Sequence, residues 1–141
     1  MSRKIFMAVL ILALVGCSTD PVQQALKYRN GYSVELLGFN VKQNDAGEPV
    51  AVNMEIAIEN RNSVAGLSVL TVKVKQYDAA NTVLGEDLIA IPLKDLAAYG
   101  KQRYYPVLKK IHGNIAAISV SKAPVDDPAA YMKYREFAGL K

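Results

Sequence analysis

Apolar and polar residues alternate along the segment from Val52 to Asn60. A repeat of every second residue is typical of a β-strand with one face in a core and the other in water, whereas an amphipathic helix repeats about every 3.6 residues. The predicted inner row is Val52, Met54, Ile56 and Ile58, and the predicted outer row is Asn53, Glu55, Ala57 and Glu59. This pattern excludes a helix here and predicts a half-buried strand.

The segment Leu67–Tyr77 has the same alternation. Its predicted inner row is Leu70, Val72 and Val74, and its predicted outer row is Thr71, Lys73 and Lys75. The residues that follow, Asp78-Ala79-Ala80-Asn81, have the composition of a four-residue hairpin loop with Asn81 in the left-handed region. The chain is therefore expected to reverse here and form another strand.

Four more segments have strand features. In Tyr32–Lys42 the phase shifts where two leucines are adjacent, which predicts a β-bulge near Gly38. Val83–Leu93 is extended, and Pro92 predicts an edge strand because proline cannot donate to a ladder. The last two segments are Lys101–Leu108 and Ile115–Lys122.

Six to seven short strands separated by turns predict an all-β fold, an antiparallel β-sandwich. The tail differs, since Asp127 can cap a helix whose first residue is Pro128. Ala130, Tyr134 and Phe137 then lie on one face. We therefore expect a short C-terminal helix over about residues 128–138.

Part of the chain resembles a known type of domain. The strand Leu70–Gln76 ends in Tyr77-Asp78, and a turn and Thr82-Val83-Leu84-Gly85 follow. This arrangement is similar to the FxLyD-type domains, small immunoglobulin-like bacterial domains in which a hydrophobic strand ends in a Tyr-Asp pair. The resemblance covers Ala51–Leu108 and implies an immunoglobulin-like sandwich in which Asp78 closes the hairpin. It implies no catalytic residue, because such domains are mostly accessory or binding modules.

The pattern of the amino-terminal residues indicates an export signal. Arg3 and Lys4 precede an uncharged apolar run of about ten residues, Ile5–Val15, which matches a signal-peptide core and is shorter than the ~20 residues that span a bilayer. The run ends in Leu14-Val15-Gly16-Cys17, which resembles the lipobox of bacterial lipoproteins. The resemblance implies cleavage before Cys17 and acylation of its thiol and new amine. The alternatives are a structural or free thiol and an uncleaved anchor.

These features predict a signal peptide over residues 1–16, a lipidated tether over 17–30 and a folded domain over 31–141. Two or more acyl chains hold a protein stably on a membrane. By resemblance to enteric lipoproteins, Ser18 in place of aspartate favours the outer membrane, facing the periplasm. With the only cysteine of the sequence bound to lipid, the fold depends on its hydrophobic core.

Composition argues against several function classes. The net charge of +4 falls to +2 once Arg3 and Lys4 are removed, which is too weak to indicate nucleic acid binding. His112 is the only histidine, so a zinc site or a catalytic triad has too few partners. The acidic pairs Glu86-Asp87 and Asp126-Asp127 lack the pattern of a catalytic pair. We expect no enzyme activity, no cofactor and no metal.

Tyrosine and basic residues are the best candidates for contacts, because tyrosine combines apolar area with one hydroxyl. The candidate contact residues are Tyr99, Lys101, Arg103, Tyr105, Tyr131 and Tyr134. The expected function is that of a non-enzymatic accessory or docking subunit of a bacterial envelope assembly, with the membrane and another envelope protein as partners. The alternative is a lipoprotein that binds a small ligand or polysaccharide. A pocket between the sheets would favour ligand binding, and a tyrosine-rich face or exposed edge would favour docking.

Overall fold

The computed structural model describes residues 21–94 and 96–123. The elements are α1 (Pro21–Asn30), β1 (Tyr32–Gln43), β2 (Pro49–Asn60), β3 (Val69–Tyr77), β4 (Val83–Pro92), β5 (Lys101–Tyr104), β6 (Val107–Leu108) and β7 (Ala117–Lys122). Cys17, Tyr131, Tyr134 and the expected C-terminal helix lie outside the described residues.

The strands form two antiparallel sheets, as the alternation predicts. In the first sheet β1 pairs with one side of β2, and β5 and β6 pair with the other side. In the second sheet β3 lies between β4 and β7. The fold is therefore an all-β sandwich, and β4 is an edge strand, as Pro92 predicted.

The core lies between the sheets and uses the two predicted inner rows. The inner residues of β2 and β3 named above are all buried, and Ile91 and Leu93 are buried with them. The prediction for the outer row of β2 is wrong at one position, because Ala57 is buried. Its register partners are Glu35 and Arg103, and a methyl group between such long side chains is easily covered.

The strand β1 contains the predicted bulge. Its register with β2 shifts between Leu36 and Gly38, so that Leu37 is the additional residue. A bulge bends its strand and changes the direction in which the neighbouring side chains point. A Cβ placed on Gly38 would meet nothing within 4 Å, so the surface above this bend is open.

The predicted strand Lys101–Leu108 is divided into β5 and β6, although its register is continuous. Tyr104 pairs with Ile56 and Leu108 with Val52, with equal numbers of residues between them on both strands. Pro106 accepts a hydrogen bond from Met54 N at 3.1 Å, but it has no N–H to return. Proline therefore interrupts the ladder without changing which side chains share a face.

Because every pairing is antiparallel, the connections collect at two ends of the sandwich. One end, which we call the α1 end, holds α1, the connections 61–68 and 93–100, and the exit of β7. The opposite end, the far end, holds the connections 44–48, 78–82 and 109–116. Leu26 and Tyr28 of α1 pack against the core, so the helix covers the end of the sandwich that it enters.

Candidate functional site

The segment Lys101–Leu108, which contains β5 and β6, places four exposed side chains on one outer face. These are Lys101, Arg103, Tyr105 and Val107, and the residues between them are less exposed. Tyr105 is 68% exposed and Val107 is 53% exposed, whereas Tyr104 packs against the core. The structure therefore brings three of the predicted contact residues together, in a row that we call the outer row of β5 and β6.

Tyr99 lies in the connection before β5, two residues before Lys101, the first residue of this row. It has a positive φ of 56°, a region that non-glycine residues seldom adopt. Its backbone N donates to Asn62 O at 3.2 Å, and the residue is 72% exposed. The connection before β5 is thus tied to the connection after β2, with the tyrosine directed to the surface.

A buried amide fixes these two connections. Asn60 is fully buried, and its Nδ2 donates to Val64 O at 2.9 Å, to Ala65 O at 3.2 Å and to Ala97 O at 3.1 Å. Its Oδ1 accepts from the backbone N and the Nδ2 of Asn62, both at 2.9 Å. One side chain therefore positions the loop that carries Tyr99.

Tyr32 supports the same loop from the core. Its hydroxyl donates to Ala65 O and accepts a hydrogen bond from Leu67 N at 3.0 Å. Burial raises the pKa of this hydroxyl, and the bond from Leu67 acts in the opposite direction. The side chain therefore stays neutral and fixes the start of the connection to β3.

Acidic side chains of β2 lie beside the basic ones of the outer row. Arg103 Nη1 contacts Glu55 Oε1 at 3.0 Å, and Lys101 is the register partner of Glu59. Arg61 Nε lies 3.8 Å from Glu59 Oε1. Exposed ion pairs of this kind contribute little to stability, so their main effect is to orient the charged groups on this face.

A groove of about 440 Å³ lies next to the outer row, over the β1 bulge. Its apolar lining includes Phe39, Tyr105 and Val107, and its polar lining is Asn40, Asn53 and Glu55. Gly38 also lines it, and the absence of a side chain there keeps the space open. The groove is on the outer face of the first sheet and not between the sheets.

A second polar cluster lies at the far end, around His112. Its Nε2 is 2.6 Å from Asp87 Oδ2, and Lys110 Nζ is 3.9 Å from Asp87 Oδ1. The Asp87 side chain is only 8% exposed. Gln76, which is fully buried, donates to Lys110 O at 2.7 Å and accepts from His112 N at 2.9 Å.

This cluster holds a connection in place. Its bonds join the 109–116 connection to β3 and β4. They also provide hydrogen-bond partners for the carboxylate of Asp87 and the amide of Gln76, which face the core. A catalytic histidine needs a nucleophile in reach and an orienting group, and within the described part of the chain the bonds of the His112 ring supply only the orienting carboxylate of Asp87. The contacts of His112 therefore hold the 109–116 connection against β3 and β4.

Two buried polar residues were not among the predicted site residues, although the alternation contains them. Asn60 continues the inner row of β2 after Ile58, and Gln76 continues the inner row of β3 after Val74. A polar residue at an inner position must find hydrogen-bond partners. Such a residue at the end of a strand therefore indicates a loop that folds over the core.

Among residues 21–94 and 96–123, no group of three or more histidine, cysteine, aspartate or glutamate residues is placed to hold a metal ion. Within the same ranges no helix is both long enough and apolar enough to cross a bilayer. Comparisons with protein-family models, with curated proteins and with solved structures found no match.

Proposed function

We propose that this chain is a lipid-anchored, non-enzymatic protein of the bacterial envelope that docks another envelope protein on the outer face of its first sheet. The single observation that supports docking is the outer row of β5 and β6 beside an open groove. The Leu14-Val15-Gly16-Cys17 junction supports the anchor. An outer-membrane position facing the periplasm follows from Ser18 by the resemblance stated above.

The chemistry of the face favours a particular kind of partner. Tyr105 and Val107 are large exposed side chains at a groove that has room for a partner's side chain. Lys101 and Arg103 lie in the same row, and such cations favour carboxylates across an interface. The proposed partner is therefore a protein segment with an apolar side chain next to acidic residues.

Site-specific crosslinking in native membranes tests the docking proposal. A photo-crosslinking residue at position 107 should yield a discrete adduct with one envelope protein, and the same residue at position 119 should not. Ser119 is the matched position because it is exposed on the outer face of the second sheet.

A substitution in the groove sharpens this test. Gly38→Leu should fill the groove, since a Cβ at this position meets nothing within 4 Å, and it should remove the adduct at position 107. Leu88→Ala, at an exposed residue of the second sheet, should leave the adduct unchanged. Equal adducts from positions 107 and 119, or an adduct that survives Gly38→Leu, would refute docking at this face.

The anchor has its own test. Cys17→Ser should leave unprocessed precursor and abolish labelling by a fatty-acid analogue. A Cys17→Ser protein that is still labelled and still matures to the normal size would refute lipidation. This readout is independent of the crosslinking result.

A second candidate function, polysaccharide binding, is supported by the polar lining of the groove. The amides of Asn40 and Asn53 and the ring of Tyr105 line one space, and sugars combine hydroxyl groups with a face that stacks on aromatic rings. Sedimentation with isolated cell-wall polysaccharide separates the two candidates. Binding that is lost in Tyr105→Ala, without a protein adduct at position 107, would favour the polysaccharide.

A further inference from the structure

The strands β1 and β7 lie in different sheets and meet at one edge of the sandwich. They contact each other, and Lys122, at the end of β7, donates from Nζ to Arg29 O, just before β1, at 3.4 Å. In the described part of the chain, each of these strands pairs with another strand on one side only. We call this side of the sandwich the β1/β7 edge, and it is open to a further segment.

Large apolar side chains are exposed along β1 at this edge. Leu37, the additional residue of the bulge, is 41% exposed, and Phe39 is 37% exposed. Val34 and Leu36 are only partly buried. A long edge strand with exposed apolar side chains tends to pair with other chains, and proteins commonly cover such an edge with a helix or a loop. At twelve residues, β1 is long enough to need a cover.

The opposite edge of the sandwich is protected by its own residues. Pro92 is the last residue of β4, and the 8% exposed side chain of Asp87 lies in the inner row of the same strand, opposite Val74. Pro106 interrupts the ladder between β5 and β6. Proline and inward-pointing charges are both common means of preventing edge pairing. Neither β1 nor β7 contains a proline, so the β1/β7 edge needs another form of protection.

The described residues end beside this edge. Ala123, which follows β7, is buried, and its backbone N donates to Thr71 O at 3.1 Å. Residues 124–141 come next, and the expected helix within them has an apolar face that contains Tyr134 and Phe137. A short helix is marginal in water unless such a face is buried by packing. The segment therefore needs an apolar surface, and one lies beside its first residue.

The length of this segment is sufficient to cover the exposed residues of β1. Leu37 is about 17 Å along the strand from Tyr32, which lies at the same end of the sandwich as Ala123. Residues 124–127 span at most about 14 Å, and a helix over 128–138 adds about 16 Å. A segment that turns back along β1 thus reaches both of its exposed apolar residues.

The outer face of the second sheet is less suitable for an apolar segment. Leu88 is exposed there, but its register partner is Lys73. The Nζ atoms of Lys73 and Lys75 each lie 3.4 Å from the carboxylate of Glu86. Covering this face would bury charged groups, which costs free energy. The exposed pair on β1 is therefore the better apolar surface.

We propose that residues 124–141 fold back on the β1/β7 edge and bury their apolar face against Leu37 and Phe39. The occupant of this edge is thus the carboxyl-terminal segment of the same chain. Because the segment begins at Ala123, its effective concentration at the edge is high, which favours it over a second copy or another protein.

The fold-back has a consequence for the docking face. Gly38 and Phe39 line the groove, so a segment that covers Phe39 forms a further wall of that groove. It also brings the predicted contact residues Tyr131 and Tyr134 to the side of the groove that is opposite Tyr105. This consequence rests on the proposed function, whereas the fold-back itself does not.

Photo-crosslinking in the purified full chain tests the fold-back. A photo-crosslinking residue at position 37 should form a bridge to a peptide from residues 128–138, identified by mass spectrometry after digestion. Position 39 repeats the test if the variant at position 37 does not fold. Position 88, on the second sheet, is the matched control and should give no such bridge. A mixture of isotope-labelled and unlabelled chains distinguishes bridges within one chain from bridges between copies.

Substitutions in the segment give a second measurement. Tyr134→Ala with Phe137→Ala should lower the yield of the bridge about tenfold, because both aromatic anchors are lost. Met132→Ala with Glu136→Ala, on the other face of the expected helix, should leave the yield unchanged. A chain that ends at Pro124 should melt about 5 °C lower or more, since its apolar edge is uncovered.

Several results would overturn the inference. Absence of a bridge from both position 37 and position 39, equal bridges from positions 37 and 88, or a bridge that survives Tyr134→Ala with Phe137→Ala would each remove the segment from this edge. An unchanged melting temperature in the chain that ends at Pro124 would do the same. Bridges that join labelled to unlabelled chains would assign the edge to a second copy.

The docking proposal can fail separately from the fold-back. The purified chain is free of envelope partners, so the bridge from position 37 does not depend on docking. Loss of the adduct at position 107 in native membranes would refute docking and leave the fold-back intact. An adduct of position 37 with another protein, without a bridge to residues 128–138, would instead refute the fold-back.

Discussion

The imidazole ring of His112 lies against Gly85, so closely that a Cβ at position 85 would come within 2.6 Å of its Nδ1. Gly85→Ala should therefore displace the ring from Asp87 and lower the free energy of unfolding by about 1–3 kcal/mol. Gly38→Ala is the matched control, because a Cβ at Gly38 meets nothing within 4 Å. Urea denaturation of both variants measures the difference, and equal effects would contradict the packing of His112.

Gln76 should be the residue that keeps the far-end connection closed. Gln76→Leu retains the volume but removes both bonds to the 109–116 connection, so that the partly buried Lys110 O and His112 N lose this partner. We expect a loss of about 2 kcal/mol and faster hydrogen exchange at the His112 amide. Ser121→Ala, at an exposed residue of the neighbouring strand, is the control. Unchanged exchange in Gln76→Leu would mean that the connection is held by other contacts.

Asn60 should be the most sensitive polar residue of the α1 end. Asn60→Ala removes the partner of three carbonyl groups and of Asn62. The expected cost is about 3 kcal/mol, since several partly buried hydrogen bonds are lost together. Asn40→Ala, at an exposed asparagine, should change the melting temperature little. Similar melting temperatures for the two variants would contradict the role of Asn60.

Tyr32 should make the stability fall at alkaline pH. Burial raises its pKa above the usual 10.0, so the native state keeps the proton where the unfolded chain has lost it. The free energy of unfolding therefore decreases as pH rises above about 10, and it is unaffected below that value. The stability difference between the unsubstituted chain and Tyr32→Phe should narrow in this range. A difference that is constant with pH would argue against a buried, neutral hydroxyl.

The two faces of β2 should respond differently to truncation. Ile56→Ala removes a fully buried side chain and should cost about 2–5 kcal/mol, through lost transfer energy and a cavity. Glu55→Ala breaks only an exposed contact to Arg103 and should cost less than about 1 kcal/mol. Equal costs in chemical denaturation would contradict the assignment of faces.

The alternation predicts most of the sandwich because the core face of a strand has a simple period. The inner rows of β2 and β3, the bulge near Gly38, the edge position of Pro92 and the left-handed Asn81 are all confirmed. Asn81 has a φ of 62°, which is the conformation that its hairpin turn requires. Each of these features depends on residues that are close together in the sequence, so a single segment was enough to predict it.

Features that depend on distant partners were not predictable in the same way. The groove needs the bulge of β1, the outer row of β2 and Tyr105 in one place, and nothing in any one segment specifies that register. The contact of His112 with Asp87 joins the 109–116 connection to β4, between residues that are 25 positions apart. The anchor and the partner stay predictions, as do the roles of Cys17, Tyr131 and Tyr134.

The way in which the chain enters β1 also determines how the molecule responds to force. After α1 the chain passes through Tyr32 into a strand that pairs with β2 at eleven positions. A pull through the amino-terminal segment acts along that strand, while the hydrogen bonds of an antiparallel ladder lie across it. The bonds are therefore loaded together in shear and are not opened one after another. A tether at the proposed anchor Cys17 would therefore load the β1–β2 ladder in shear.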